Sequence, residues 1–192
     1  MHRVAALAMV VAACSARAAS NTADLEAIYH ARADSARMRF TPADVRFMTG
    51  MIGHHRQALD MAALVPRNGA SSSIETLAAR IINAQQDEIA TLEQWLRERD
   101  QPLPAGHEHA HMPGMLTPAQ MAELAAARGA AFDRLFLRYM IQHHRGAVAM
   151  VHELFGTDGA AQDEVVFKLA SDIQVDQITE IARMELMLEE MP

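Results

Sequence analysis

The chain lacks three features on which many protein functions depend: paired cysteines, runs of positive charge and segments of strict apolar/polar alternation. One cysteine in 192 residues excludes an intramolecular disulfide, a CxxC redox motif and a thiolate metal cluster. Lys and Arg total 17 against 24 Asp and Glu, which argues against nucleic acid as a partner. The sequence contains 14 Met and 10 His, and their clustering is what points to a function.

The N-terminal segment has the layout of a secretory signal. A positively charged start is followed by an apolar run from Val4 to Ala13, too short to span a membrane, and then by small residues. Cleavage after an Ala16-Arg17-Ala18 site predicts a signal peptide over residues 1–19. A lipobox before Cys14 predicts a lipoprotein signal over residues 1–13 instead. We expect an exported, periplasmic protein, and a lipid anchor on Cys14 is the alternative.

The remaining sequence predicts helices, because no apolar/polar alternation is long enough for a strand. Thr41-Pro42-Ala43-Asp44 and Thr117-Pro118-Ala119-Gln120 each have an N-cap hydroxyl, a proline at the first helical position and a polar residue at the third. Ser72-Ser73-Ile74-Glu75 has the pattern of a capping box. A further helix is expected after the Gly156–Gly159 break, and an extra N-terminal helix over about Asp24–Arg39.

An internal repeat organises the chain. Residues 47–61 align without gaps on residues 136–150, and each copy reads Met-Ile-x-His-His-x-x-Ala-x-x-Met. The offset of 89 positions also carries Asp44 onto Asp133. Two copies of a helical hairpin that cannot close a core alone predict a four-helix bundle with a pseudo-two-fold axis. The irregular segment 101–116 is then the long crossover of a ferritin-like, all-α domain over residues 20–192.

The Met and His residues of each copy fall on one helical face, which we expect to line the bundle core. Thioether sulfur is soft and imidazole is borderline, so this set favours Cu(I), or Ag(I) as its chemical mimic, over hard cations. Methionine packing around a structural histidine cluster is the alternative. The candidate ligands on the helices are Met51, His54, His55, Met61, Met140, His143, His144 and Met150.

The crossover carries a second candidate metal site. His107, His109 and His111 occupy alternate positions, so their side chains point the same way in an extended segment. Met112 and Met115 follow as soft ligands. Three imidazoles bind Cu(II) or Zn as well as Cu(I), so we expect this site to be less selective than the helical one. A solvated, His-rich linker is the alternative.

The sequence favours a binding protein over an enzyme. Neither copy contains the Glu-x-x-His of di-iron bundles, and no Ser-His-Asp or Cys-His nucleophile pattern is present. A small copper-dependent oxidase and a structural or sensory bundle are the alternatives. Polar residues of the second and fourth helices are expected to orient imidazoles and not to bind metal. These residues are Gln85, Asp87, Glu88, Gln174, Asp176 and Gln177.

The repeated motif, the Met112-Pro113-Gly114-Met115-Leu116-Thr117-Pro118 run and the Phe132-Asp133 pair together resemble the CopM-like family of exported ferritin-like proteins, formerly a domain of unknown function. The resemblance covers roughly Thr41–Leu188. It implies a helical bundle and, for characterised members, copper binding through Met and His in copper tolerance. Carried over residue by residue, it points to the eight helical candidates named above. It makes the metal ion, and a protein to which copper is passed, the expected partners.

Overall fold

The computed structural model describes Thr22 and residues 24–29, 39–105 and 112–191. All regular secondary structure in these residues is helical, which confirms the all-α prediction. No helix in the described ranges is long and apolar enough to cross a membrane. The predictions that fall outside these ranges concern the signal sequence, Cys14, His107, His109 and His111.

The chain divides into two compact units, Met1–Arg39 and Phe40–Pro192. In the first unit, residues 24–29 are helical and lie within the extra helix predicted from the sequence. The second unit contains the five main helices. We number them α1 (Pro42–Ala62), α2 (Ser72–Arg97), α3 (Pro118–Ala126), α4 (Gly129–Phe155) and α5 (Glu164–Glu189).

Each copy of the repeat folds as one hairpin. Helix α1 packs along α2, helix α4 packs along α5, and the two hairpins meet through α1 and α4. Short connections between paired helices make the members of each hairpin antiparallel. The arrangement confirms the predicted bundle of two hairpins, with α3 lying in the crossover between them.

Two of the predicted helix starts form as reciprocal caps. The Thr41 hydroxyl accepts the Asp44 N–H while the Asp44 carboxylate accepts the Thr41 N–H, and Thr117 and Gln120 repeat this arrangement. The capping box predicted at Ser72 is wrong. The N-cap residue of α2 is Ser71, whose side chain makes no capping hydrogen bond.

A pair of buried aspartates ties the hairpins to each other. Asp44 of α1 accepts the Ala161 N–H, in the connection between α4 and α5, at 2.7 Å. Asp133 of α4 accepts the Ser71 N–H, in the connection between α1 and α2, at 3.1 Å. Because Asp44 and Asp133 are equivalent in the repeat, these crossed hydrogen bonds give the tertiary structure the pseudo-two-fold relation seen in the sequence.

The helix that begins after Thr117 does not continue into the repeated motif. It ends at Ala126, and the motif helix α4 begins separately at Gly129, which has φ +55°. The Asn68 amide holds the bend, because Nδ2 donates to the backbone carbonyls of Leu124, Ala125 and Ala127. A side chain distant in sequence therefore fixes this break.

The buried apolar side chains form two clusters. We name them the Trp95 core and the Phe136 core after one large member of each. Along α1, His54 and His55 lie between Met51 of the Trp95 core and Met61 of the Phe136 core. The members relevant to the site are Phe47, Met48, Met51, Met150 and Leu154 in the Trp95 core, and Met61, Leu116, Leu124, Met140 and Met184 in the Phe136 core.

Candidate metal centre

His54 of α1 and His143 of α4 meet where the two hairpins pack together. Their ring centroids are 3.8 Å apart, and neither side chain is exposed to solvent. The two residues are equivalent in the repeat, so their contact lies on the pseudo-two-fold axis. His55 and His144, the next residues along each helix, are also fully buried. The structure thus brings together the four histidines predicted on the helices.

His54 and His143 are neutral at physiological pH. Burial, reinforced by the neighbouring His55, lowers the pKa of His54 from 6.5 to about 3. Burial and the adjacent His54 likewise hold the pKa of His143 well below 6.5. A neutral imidazole keeps one nitrogen lone pair, and this is the form that binds metal ions.

An oxygen atom lies close to Nε2 in three of these rings, and in His54 it fixes the tautomer. His54 Nε2 lies 3.0 Å from the Pro113 carbonyl oxygen, which can only accept, so Nε2 carries the proton. His144 Nε2 is hydrogen-bonded to the Glu180 carboxylate at 2.6 Å. His55 Nε2 lies 2.7 Å from the Glu88 carboxylate, but the geometry is not that of a hydrogen bond.

The other ring nitrogen, Nδ1, has no hydrogen-bond partner in His54, His55 or His144 among the described residues. In His143, neither ring nitrogen makes a hydrogen bond of normal geometry to any described residue. Buried polar atoms almost always have partners, so several unused lone pairs in one place indicate a bound species. A second ring nitrogen held by a carboxylate or carbonyl is the usual support of a metal-binding histidine.

The helices facing this cluster supply polar groups, only some of which were predicted. Glu88 lies beside His55, where the sequence placed it, but makes no hydrogen bond to that ring. The side chains of Gln85 and Gln177 are buried with unpartnered amide atoms. Asp87 is exposed, and Gln174 contacts the exposed His152 instead of the cluster.

Two further carboxyl groups lie on α5. Glu180, the partner of His144, was not predicted from the sequence. The repeat places the equivalent of Glu88 at Gln177, three residues earlier. Asp176 lies on the same helix, one turn before Glu180. Partial burial and the nearby Glu88 and Glu180 raise the pKa of Asp176.

The four methionines of the motif are buried. Those that align in the repeat, Met51 with Met140 and Met61 with Met150, do not lie in the same core cluster. Met51 and Met150 belong to the Trp95 core, whereas Met61 and Met140 belong to the Phe136 core. The pairing follows from the pseudo-two-fold axis, which places the start of one motif opposite the end of the other. A thioether pair therefore lies on each side of the histidines, along α1 and α4.

The crossover passes over the histidine pair and is held there. Besides the Pro113 carbonyl on His54, the Gln57 amide bonds both the N–H and the carbonyl of Leu116, at 2.7 and 3.0 Å. A Cβ on Gly146 would lie 2.0 Å from the Pro113 oxygen, so only glycine admits the crossover at this point. The end of the crossover also contributes to the core, because Leu116 is buried in the Phe136 core.

The two predicted linker methionines differ in their surroundings. Met112 packs against the Trp95 core, and its sulfur lies beside Gly50. Met115 is half-buried after the Pro113-Gly114 turn. Within the described residues, no three His, Cys, Asp or Glu side chains converge as ligands for one ion. An ion bound at the histidines would therefore complete its ligand set with sulfur or amide oxygen.

Comparison with known proteins identifies relatives of this fold. A crystal structure of a DUF305 fragment from Deinococcus radiodurans is 37% identical, covers 78% of this chain and 97% of its own, and superposes with a TM-score of 0.69. CopM in its Cu(II)-bound form is 31% identical, with a TM-score of 0.64, and covers 76% of this chain and 95% of its own.

The Cu(I)-bound form of CopM is 30% identical, with a TM-score of 0.61 and the same coverage of both chains. No curated protein is significantly similar in sequence. The family described as "Domain of unknown function (DUF305)" matches residues 44–188. This match spans both hairpins, the crossover and all eight helical candidates, and the chain therefore belongs to the DUF305 family.

Proposed function

We propose that this protein binds copper, with Cu(I) preferred, at the four buried histidines and the two thioether pairs beside them. The observation that carries the proposal is the set of four buried imidazoles whose Nδ1 atoms have no hydrogen-bond partner among the described residues, together with the lowered pKa values of His54 and His143. Buried thioethers on both sides supply soft donors, which favour Cu(I) over hard divalent ions. The Cu(I)-, Cu(II)- and Ag-bound structures of CopM, a relative of the same fold, support the choice of metal.

The physiological role we infer is sequestration of copper, or its delivery to a partner protein, in copper tolerance. Export to the periplasm, through the signal over residues 1–19 or by lipid attachment at Cys14, would place the protein where copper enters the cell. His107, His109 and His111, with Met112 and Met115, would form a less selective capture site that also takes Cu(II).

An anaerobic Cu(I) titration followed by native mass spectrometry tests the helical site. Met51 and Met140 are replaced together by leucine, which removes sulfur but nearly conserves volume. We expect Cu(I) affinity to fall by about tenfold or more, the scale on which support for a metal site is lost.

The matched control replaces Met48 and Met184, which are equally buried, by leucine. Position 48 is a suitable control because its repeat equivalent is Leu137. If both double variants bind Cu(I) as the wild type does, the motif methionines are core packing and the site is wrongly assigned. Equal retention of Fe(II) in competition dialysis would contradict the choice of metal.

Acidification separates the linker site from the helical site. The linker imidazoles are expected to release copper near pH 5, since an unperturbed histidine has a pKa of about 6.5. His54, with a pKa of about 3, stays neutral at that pH. Replacing His107, His109 and His111 by alanine should remove the acid-sensitive copper and leave the acid-resistant fraction. Loss of both fractions in that variant would show that the two sites are not independent.

A further inference from the structure

The two copies of the repeat differ at several positions, two of which contact the crossover or its end. Gly50 of the first copy corresponds to Tyr139 of the second, and Gln57 corresponds to Gly146. The path of the crossover explains the difference between Gln57 and Gly146. Gly146 leaves room for the crossover backbone, and Gln57 makes hydrogen bonds to it. The exchange of Gly50 for Tyr139 needs a separate explanation.

A cavity of about 400 Å³ lies at Gly50. Its inner wall includes Phe47, Gly50 and Met150, which are buried, and its outer wall includes Arg46 and Glu153, which are exposed. The cavity therefore extends from solvent to Met150, on one side of the histidine centre. Most of its remaining lining is apolar, which suits the passage of a weakly hydrated soft ion and not a stable site for a hard cation.

Two thioethers meet inside this cavity. A Cβ on Gly50 would lie 3.2 Å from Met112 Sδ and 3.3 Å from Met150 Cε, so both side chains end over the same point. Met112 comes from the crossover, and Met150 is the last residue of the second motif. Met150 is 8% exposed, whereas Met51, Met61 and Met140 are fully buried. Among the four motif methionines, it is the one that solvent reaches.

The opposite side of the histidine pair is closed. Tyr139, at the position equivalent to Gly50, donates its hydroxyl to Glu123 of α3. Leu124 of the same helix is fully buried in the Phe136 core with Met61 and Met140. A groove on this face is lined by Glu123, Leu135 and Arg138 and includes neither Met61 nor Met140 in its walls, whereas the Gly50 cavity is lined by Met150.

From this asymmetry we propose that Cu(I) enters and leaves the histidine centre through the Gly50 cavity, with Met112 as the outer thioether that exchanges the ion with its donor or acceptor. The inference rests on the proposed function and adds a direction to it. Met112 and Met150 receive the ion first, and the buried histidines beyond them retain it. Exchange of an ion between neutral thioethers requires no proton and no redox partner.

Stopped-flow measurement of Cu(I) transfer to the chelator bathocuproine disulfonate tests the route in the full-length protein loaded anaerobically with one equivalent of Cu(I). Met112→Leu removes the outer sulfur, and Gly50→Tyr fills the cavity with the residue that the second copy carries. We expect each variant to slow transfer by about tenfold, equivalent to about 1.4 kcal/mol of barrier, with unchanged stoichiometry. Gly50→Ala, a smaller change at a helical position that favours alanine, serves if the tyrosine variant does not fold.

Met121 of α3 packs against the Phe136 core, on the closed side. The controls on this side are Tyr139→Phe and Met121→Leu, which should transfer copper at the wild-type rate. Equal rates for all variants, or equal slowing by the controls, would overturn the proposed route while leaving copper binding intact. Loss of stoichiometry in Met112→Leu would also overturn it, because Met112 would then belong to the retaining site. A wild-type protein that binds no Cu(I) would refute the proposed function itself.

Discussion

Acidification from pH 7 to pH 5 should destabilise the metal-free protein, because His54 and His143 cannot accept protons while they remain buried. The pKa of His54 is about 3 in the folded protein and 6.5 in the unfolded chain. When the pKa of a histidine is lower in the folded protein than in the unfolded chain, the free energy of unfolding has its full value above pH 6.5. It decreases as the pH falls from there toward the pKa of the folded protein. At pH 5 the unfolded chain binds the proton and the folded protein does not.

The size of the effect follows from the pKa difference. Between pH 7 and pH 5, His54 accounts for a loss of about 2 kcal/mol in the free energy of unfolding. The pKa of His143 is lowered as well, so protonation of its unfolded form adds to this loss, which is already a sizeable part of the 5–15 kcal/mol typical of a domain. Asp176 acts in the opposite sense, because its raised pKa means that protonation at low pH relieves repulsion from Glu88 and Glu180.

Urea denaturation of the metal-free protein at both pH values measures this loss. The variant carrying His54→Gln and His143→Gln should lose less stability than the wild type over the same interval, by at least the ~2 kcal/mol due to His54, whatever its stability at pH 7. Replacement of the exposed His152 by glutamine is the control and should leave the difference unchanged. An equal loss in the wild type and the double variant would refute the reasoning, and imidazole NMR titration of His54 gives its pKa independently.

Two further predictions concern the contacts that hold the bundle together. Gly146→Ala should displace the crossover from His54 and lower the free energy of unfolding by about 1–3 kcal/mol, as overpacking does; a stability equal to the wild type in urea would show that the crossover can move aside freely. Asp133→Ala should cost about 1–2 kcal/mol, because the Ser71 N–H at the start of α2 loses its acceptor. Asp44→Ala should cost more, because it removes the acceptor of the Ala161 N–H and also that of the Thr41 N–H in the cap of α1, and a smaller cost than that of Asp133→Ala would contradict this reasoning.

Local signals in the sequence were sufficient for most of the helices. The Thr41 and Thr117 caps involve residues three positions apart, so their pattern can be recognised before any tertiary contact is known. Ser72 shows where this reasoning fails. The acceptor at the start of α2 is Asp133, which the pattern of neighbouring residues cannot reveal. The break before α4 has the same origin, because Asn68 stabilises it from a distance.

The histidine cluster was predictable from the repeat, whereas its surroundings were not. Two equivalent residues contact each other only if both lie close to the two-fold axis, and His54 and His143 do. Positions away from the axis exchange their order, so Met51 lies with Met150 and not with Met140. A sequence alignment superposes Met51 on Met140 and cannot show this exchange.

The sequence by itself determined the helical class, the duplication and the face of each helix that carries Met and His, because helical periodicity and capping depend on residues within one or two turns. Only the tertiary structure decided which lone pairs remain unpartnered, that Glu180 takes the place expected for Gln177, and that one thioether pair faces a cavity while the other is covered by α3. These features depend on contacts between residues tens of positions apart. The two copies of the motif therefore have different environments, because the crossover packs against only one side of the bundle.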